Sequence, residues 1–211
     1  SPNLMLKYFI FGMFTIDAFT FLACLLYFLK TKKRQIGVLA LWFGSRFLSL
    51  LFGYNLRVYM GWKTEHIYSF SVLLEGFLMY YLFWLVLSKK QWFDKFLFMI
   101  PLAIFVVEFY FLEHYYDVMY VTHVFYYVFV SVLLIWLINR EKIPQPFQYF
   151  MNLLLVFHVT AFIFMLNLAF LKNSYNLGTY LYPVFWLTYI VFDLLSIQYF
   201  RKQYLHIQEQ V

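Results

Sequence analysis

The chain has 211 residues, is 64% hydrophobic and carries only 12% charged side chains, about half the roughly 25% of a soluble domain. That is too little polar surface to coat a water-soluble globule, so the bilayer is the expected solvent. A single cysteine, Cys24, excludes a disulfide framework and a cysteine metal cluster, and the net charge of +6 sits beside apolar runs, where it marks topology and lipid contact and not a nucleic-acid surface.

A transmembrane helix needs about 20 apolar residues. Seven segments qualify, near 8–29, 36–59, 67–88, 94–112, 118–139, 148–171 and 179–200. They predict an all-α bundle of seven transmembrane helices in a single domain, residues 1–200, followed by a short basic tail, 201–211. The first span is too long for the apolar core of a signal peptide, lacks a small-residue cleavage site, and is expected to be retained. It carries Asp17 near its middle, with Thr20 and Cys24 on a weakly polar face.

The second span holds Arg46 near its middle, beside a stripe of small residues, Ser45, Ser49 and Gly53, suited to close helix approach. The third holds Glu75. The fourth is the weakest: Asp94 and Lys95 stand at its start, and Pro101 predicts a kink. Where the fourth and fifth spans meet lie Glu108, Glu113, His114 and Asp117 among Tyr110, Tyr115, Tyr116 and Tyr120. This group reads as an exposed loop with an interfacial aromatic belt; holding a cation or a basic partner is the sharper alternative. Trp62, Trp84, Trp92 and Trp186 read likewise as interface anchors.

The fifth span contains His123, and Pro144 and Pro146 punctuate the turn that follows it. The sixth contains His158, flanked by Asn152 and Asn167, which predict a polar seam toward the bundle interior. The seventh contains Asp193, with Pro183 expected in its first turn, where a missing N–H costs little. It has no lysine and so cannot carry a retinal Schiff base at the usual place. From Ser196 to Val211 the chain is polar and helix-compatible, either an extension of the span or a connector to a cytoplasmic partner.

Basic residues are distributed unequally between the two sides. Lys30, Lys32, Lys33, Arg34, Lys89, Lys90, Lys95, Arg140, Lys142, Arg201 and Lys202 fall on one side; Lys7, Arg57, Lys63 and Lys172 fall on the other. The positive-inside rule then places the N-terminus outside and the C-terminus in the cytoplasm. An odd number of spans keeps this bias in phase, which agrees with seven.

Ionisable groups inside a span cost about 2.5–3.5 kcal/mol each on insertion scales and are site candidates by default. The candidates are Asp17, Arg46, Glu75, His158 and Asp193, with His123 and Asn167 secondary. Counted from the proper ends, Asp17, Arg46 and Glu75 share one depth, and Arg46 is predicted to bridge Asp17 and Glu75. Acids outnumber the one arginine, an excess that a proton- or cation-coupled site would use.

No P-loop, dinucleotide fingerprint, nucleophile elbow, HExxH or paired-histidine pattern is present, so no cofactor and no metal are implied. With few Gly and Pro to break helices, the sequence favours a non-enzymatic sensor, receptor or accessory subunit of a membrane complex, multi-pass in the cell inner (plasma) membrane. Its expected partners are the lipid bilayer and a membrane protein, not nucleic acid. The alternative is a small solute or proton-coupled transporter using the buried Asp/Arg/Glu cluster. A third reading, an intramembrane enzyme acting on lipid, requires His158 or His123 beside a carboxylate in an open cleft.

Overall fold

The computed structural model describes residues 2–60, 65–87, 103, 106, 110, 120–170 and 175–209. These residues form six long helices and no strand: α1 Pro2–Thr31, α2 Arg34–Met60, α3 Glu65–Val86, α4 Tyr120–Arg140, α5 Gln145–Phe170 and α6 Tyr175–Gln208. Among the described residues, five stretches are long and apolar enough to cross a membrane: Phe11–Thr31, Arg34–Gly53, Thr122–Arg140, Gln145–Asn167 and Pro183–Gln208; Phe70–Val86 is a shorter apolar stretch. A chain in lipid has no water to satisfy its peptide groups, and the helix satisfies them within the segment. The predicted span at 94–112 lies outside the described residues, apart from Ala103, Val106 and Tyr110, each helical and exposed. Most of the acidic and aromatic cluster at 108–120 lies outside them too.

The helices close into a ring. Among the described residues each packs against two others, α1 on α2, α2 on α3, α3 on α4, α4 on α5, α5 on α6 and α6 back on α1. α1 and α2 are antiparallel. Their turn is made by Lys32, which has φ 54° and donates its backbone N–H to the Phe28 carbonyl at 2.7 Å, a left-handed helix stop usually given to glycine. α3 and α4 run parallel: Val72, Leu73 and Gly76 face Thr122, Phe125 and Tyr126 toward one end. Leu85 and Val86 share a cleft with Glu141 and Ile143 at the other.

The helices are apolar on every side. Phe11, Leu26, Leu41, Val132, Val156 and Leu187 are exposed on the outer surface, as lipid-facing residues should be. Side chains of α2 fill the middle of the ring. Trp42 and Phe43 are buried to 0% and 1% exposure, and their rings meet Phe157 and Phe192, and Phe150, Phe192 and Phe200, respectively. Burying an apolar ring in protein instead of lipid gains little by transfer, so van der Waals packing and polar contacts must hold this interior.

One expectation changes here. α6 begins at Tyr175, so Pro183 lies inside the helix and not in its first turn; extending the helix satisfies more backbone in an apolar medium. The Ser45–Ser49 face turns toward α3, where Ser49 hydrogen-bonds Ser71. On the side of α2 that faces α1, Gly37 and Gly44 also stand close to the neighbouring helix: an added Cβ would lie 2.8 Å from the Phe28 ring and 3.1 Å from the Phe21 ring. The tail is continuous with α6 as far as Gln208.

Candidate functional site

α1, α2 and α6 each bring one charge to the interior. Asp17, Arg46 and Asp193 are buried to 1%, 5% and 0% exposure. The Arg46 guanidinium forks onto Asp193, Nη1 to Oδ1 at 3.3 Å and Nη2 to Oδ2 at 3.4 Å, and Nη2 lies 3.6 Å from Asp17 Oδ1. Tyr189 donates its hydroxyl to Asp17, 3.0 Å from Oδ1 and 2.9 Å from Oδ2. Tyr189 and Asp193 are four residues apart, on one face of α6, as are Trp42 and Arg46 on α2.

Aromatic rings close the arginine in. Its Cζ lies 4.3 Å from the Tyr189 centroid, 4.8 Å from Trp42, 5.0 Å from Phe157, 5.5 Å from Phe192 and 5.6 Å from Phe43. A planar, weakly hydrated guanidinium suits such a cage better than an ammonium does, because it stacks on rings while its edge donates to carboxylates.

The predicted bridge from Asp17 to Glu75 is therefore half replaced. Arg46 holds Asp17 and Asp193. Glu75 belongs to a neighbouring chain of hydroxyls between α2 and α3, in which Ser49 donates to Ser71 and Ser71 donates to Glu75 Oε1 at 3.0 Å. The physical reason is ring closure: α1 and α6 are adjacent, so their aspartates reach the same guanidinium, whereas Glu75 faces the other flank of α2.

His158 is buried to 0% exposure on α5. Its Nδ1 lies 2.8 Å from the Leu154 carbonyl, which can only accept, so Nδ1 bears a proton; Nε2 lies 3.2 Å from the Tyr126 hydroxyl, which donates to a neutral ring. The Trp42 indole stacks on the imidazole at 5.9 Å, joining His158 to the arginine cage. Its hydrogen-bond partners are thus a phenol and a carbonyl, not the carboxylate that an acid–base pair would require. His123 is buried on α4 near the opposite end from the α4–α5 turn. Asn152 is exposed and Asn167 half-buried. The predicted seam through both asparagines does not form, because Asn152 falls on the outer face of α5.

Three hydrogen-bonding side chains of this site went unread in the sequence, Tyr189, Ser71 and Tyr126, as did the cage rings Trp42, Phe157 and Phe192. Tyr189 precedes Asp193 by four residues and Ser71 precedes Glu75 by four, a spacing that puts a donor one helical turn from a buried acid and could have signalled both. No such spacing marks Tyr126, whose partner is on another helix.

Fold and site together define a multi-pass helical membrane protein with a caged ionic core. The chain matches no family model, no curated protein and no solved structure.

Proposed function

We propose that the protein is a non-enzymatic sensor, receptor or accessory subunit of a membrane complex, crossing the plasma membrane seven times with its N-terminus outside. One observation carries the functional reading. Asp17, Arg46, Glu75, His158 and Asp193 are all buried and already engaged by side chains or backbone of the same chain. Such a core ties α1, α2 and α6 together and leaves its polar groups committed to the fold, as suits a protein whose work is done at its surface. The acid excess, two carboxylates to one guanidinium, is what favours the alternative of a proton-coupled carrier.

Seven crossings are supported by the parallel run of α3 and α4. Two parallel neighbours start at the same end, as an even step in the order of crossings requires. The unequal distribution of basic residues supports the orientation. Tags at the two termini, probed by membrane-impermeant protease in intact cells, are expected to be cleaved only at the N-terminus; cleavage at both or at neither defeats the odd count.

Reconstituted liposomes containing a pH-sensitive dye test function. Purified protein is expected to leave a proton gradient as slow to decay as empty liposomes do, while migrating in native membranes as an assembly heavier than its monomer. Proton or solute flux that Asp193→Asn abolishes would establish the carrier reading in its place.

A further inference from the structure

Away from the arginine cage, the turns α1–α2 and α4–α5, the end of α3 and the last third of α6 surround a cleft of about 500 Å³. That volume suits a small organic ligand. Its walls include two tyrosines, Tyr27 of α1 and Tyr199 of α6, only 6% and 7% exposed. Their rings are fixed by neighbours: Tyr27 packs at 6.0 Å on Phe200, and Tyr199 at 5.1 Å on Phe150. Yet neither hydroxyl has a hydrogen-bond partner among the described residues. Both hydroxyls open into the cleft and are not sealed from it, so they are free to donate to a ligand there that accepts from them.

The remaining polar lining specifies the sign of that ligand. Lys33 and Lys142, both exposed, supply two cations; Gln35 and Gln203 add amide donors, against one carboxylate, Glu141. The floor is apolar, with Ile36, Leu85 and Phe147. We propose that this cleft binds a phosphate-bearing amphiphile, its phosphate oxygens accepting from the Tyr27 and Tyr199 hydroxyls between Lys33 and Lys142, its apolar part on the Ile36–Leu85 floor. A phosphate presents three acceptor oxygens and a charge that two ammonium groups match. The inference rests on the cleft alone and holds whichever way the membrane-complex reading falls.

The phosphate has two possible sources, a membrane lipid or a soluble organic phosphate. Protein in phosphate-free dodecyl maltoside micelles is compared with protein in micelles doped with phosphatidylglycerol, and the former is titrated with phenyl phosphate. Bound phosphate species are counted by native mass spectrometry, and thermal unfolding is followed alongside. Tyr27→Phe/Tyr199→Phe, which removes only the hydroxyls, is expected to weaken binding about tenfold or more, the consequence of two lost hydrogen bonds to an anion. Lys33→Gln/Lys142→Gln is expected to do the same. The charge-matched pair Lys30→Gln/Arg201→Gln, exposed at the same end outside the cleft lining, should bind as wild type. Retention of phosphatidylglycerol without phenyl phosphate assigns the site to a lipid headgroup, and the reverse assigns it to a soluble phosphate; both support it. Binding of neither probe overturns the proposal, as do cleft variants that bind like wild type or a control pair that loses as much as the cleft pair.

Discussion

Replacing Arg46 tests the ionic core directly. Arg46→Leu withdraws the cation that Asp17 and Asp193 share; both are buried, at 1% and 0% exposure, and cannot turn to water. Removing one partner of a buried ion pair costs about 3–5 kcal/mol, most of it the penalty of the charge left behind. The cation–π contacts with Tyr189 at 4.3 Å and Trp42 at 4.8 Å push the loss toward the top of that range. Arg46→Lys keeps the charge but cannot fork onto Asp193 while reaching Asp17, so about 1–2 kcal/mol is expected. The triple change Arg46→Leu/Asp17→Asn/Asp193→Asn removes the whole ionic set and should recover to within about 2 kcal/mol of wild type, because neutral amides still accept from Tyr189 and no charge is stranded. Equilibrium unfolding in mixed detergent–SDS micelles, followed by tryptophan fluorescence, measures each. The reasoning fails if Arg46→Leu unfolds at the wild-type denaturant fraction, or if the triple variant is less stable than Arg46→Leu.

Gly37→Ala should destabilise by about 1–3 kcal/mol, since its Cβ would stand 2.8 Å from the Phe28 ring. Gly12→Ala meets nothing within 4 Å and should stabilise by up to about 1 kcal/mol through helix propensity; the same unfolding assay ranks them. Ser71→Ala strips Glu75 of its hydroxyl donor and is expected to cost about 1–3 kcal/mol, whereas Ser45→Ala, whose hydroxyl only returns to the Trp42 carbonyl, should cost under about 1 kcal/mol. Lys32→Gly relieves a left-handed residue at φ 54° and should raise the unfolding midpoint, while Lys32→Val, β-branched at that φ, should lower stability by about 1–2 kcal/mol.

Much of the fold was legible because span length and composition are one-dimensional properties. Six of the segments read as spans correspond to helices whose bounds differ by a few residues, apart from both ends of α6 and the start of α1. What could not be read was which face of each helix turns inward. In water, hydrophobic periodicity answers that; here lipid accepts Leu22, Leu26 and Phe52 on the outside as readily as the interior accepts Leu39 and Phe43. Only polar side chains break the symmetry, and so Asp17, Arg46, Glu75, His158 and Asp193 were the residues the sequence could nominate. Asn152 is the exception, an amide left at the surface of α5.

The sequence by itself determined the solvent, the helical class and the residues that must find partners, because an unpaired charge in hydrocarbon is too costly to leave to chance. Which partners they find was decided by the tertiary structure. Asp17 and Asp193 are 176 positions apart in the chain, and nothing local relates them. They meet because α6 closes the ring against α1, bringing both acids to one arginine and leaving Glu75 to two serines on the far flank of α2. The same closure gathers turns distant in sequence around the Tyr27–Tyr199 cleft.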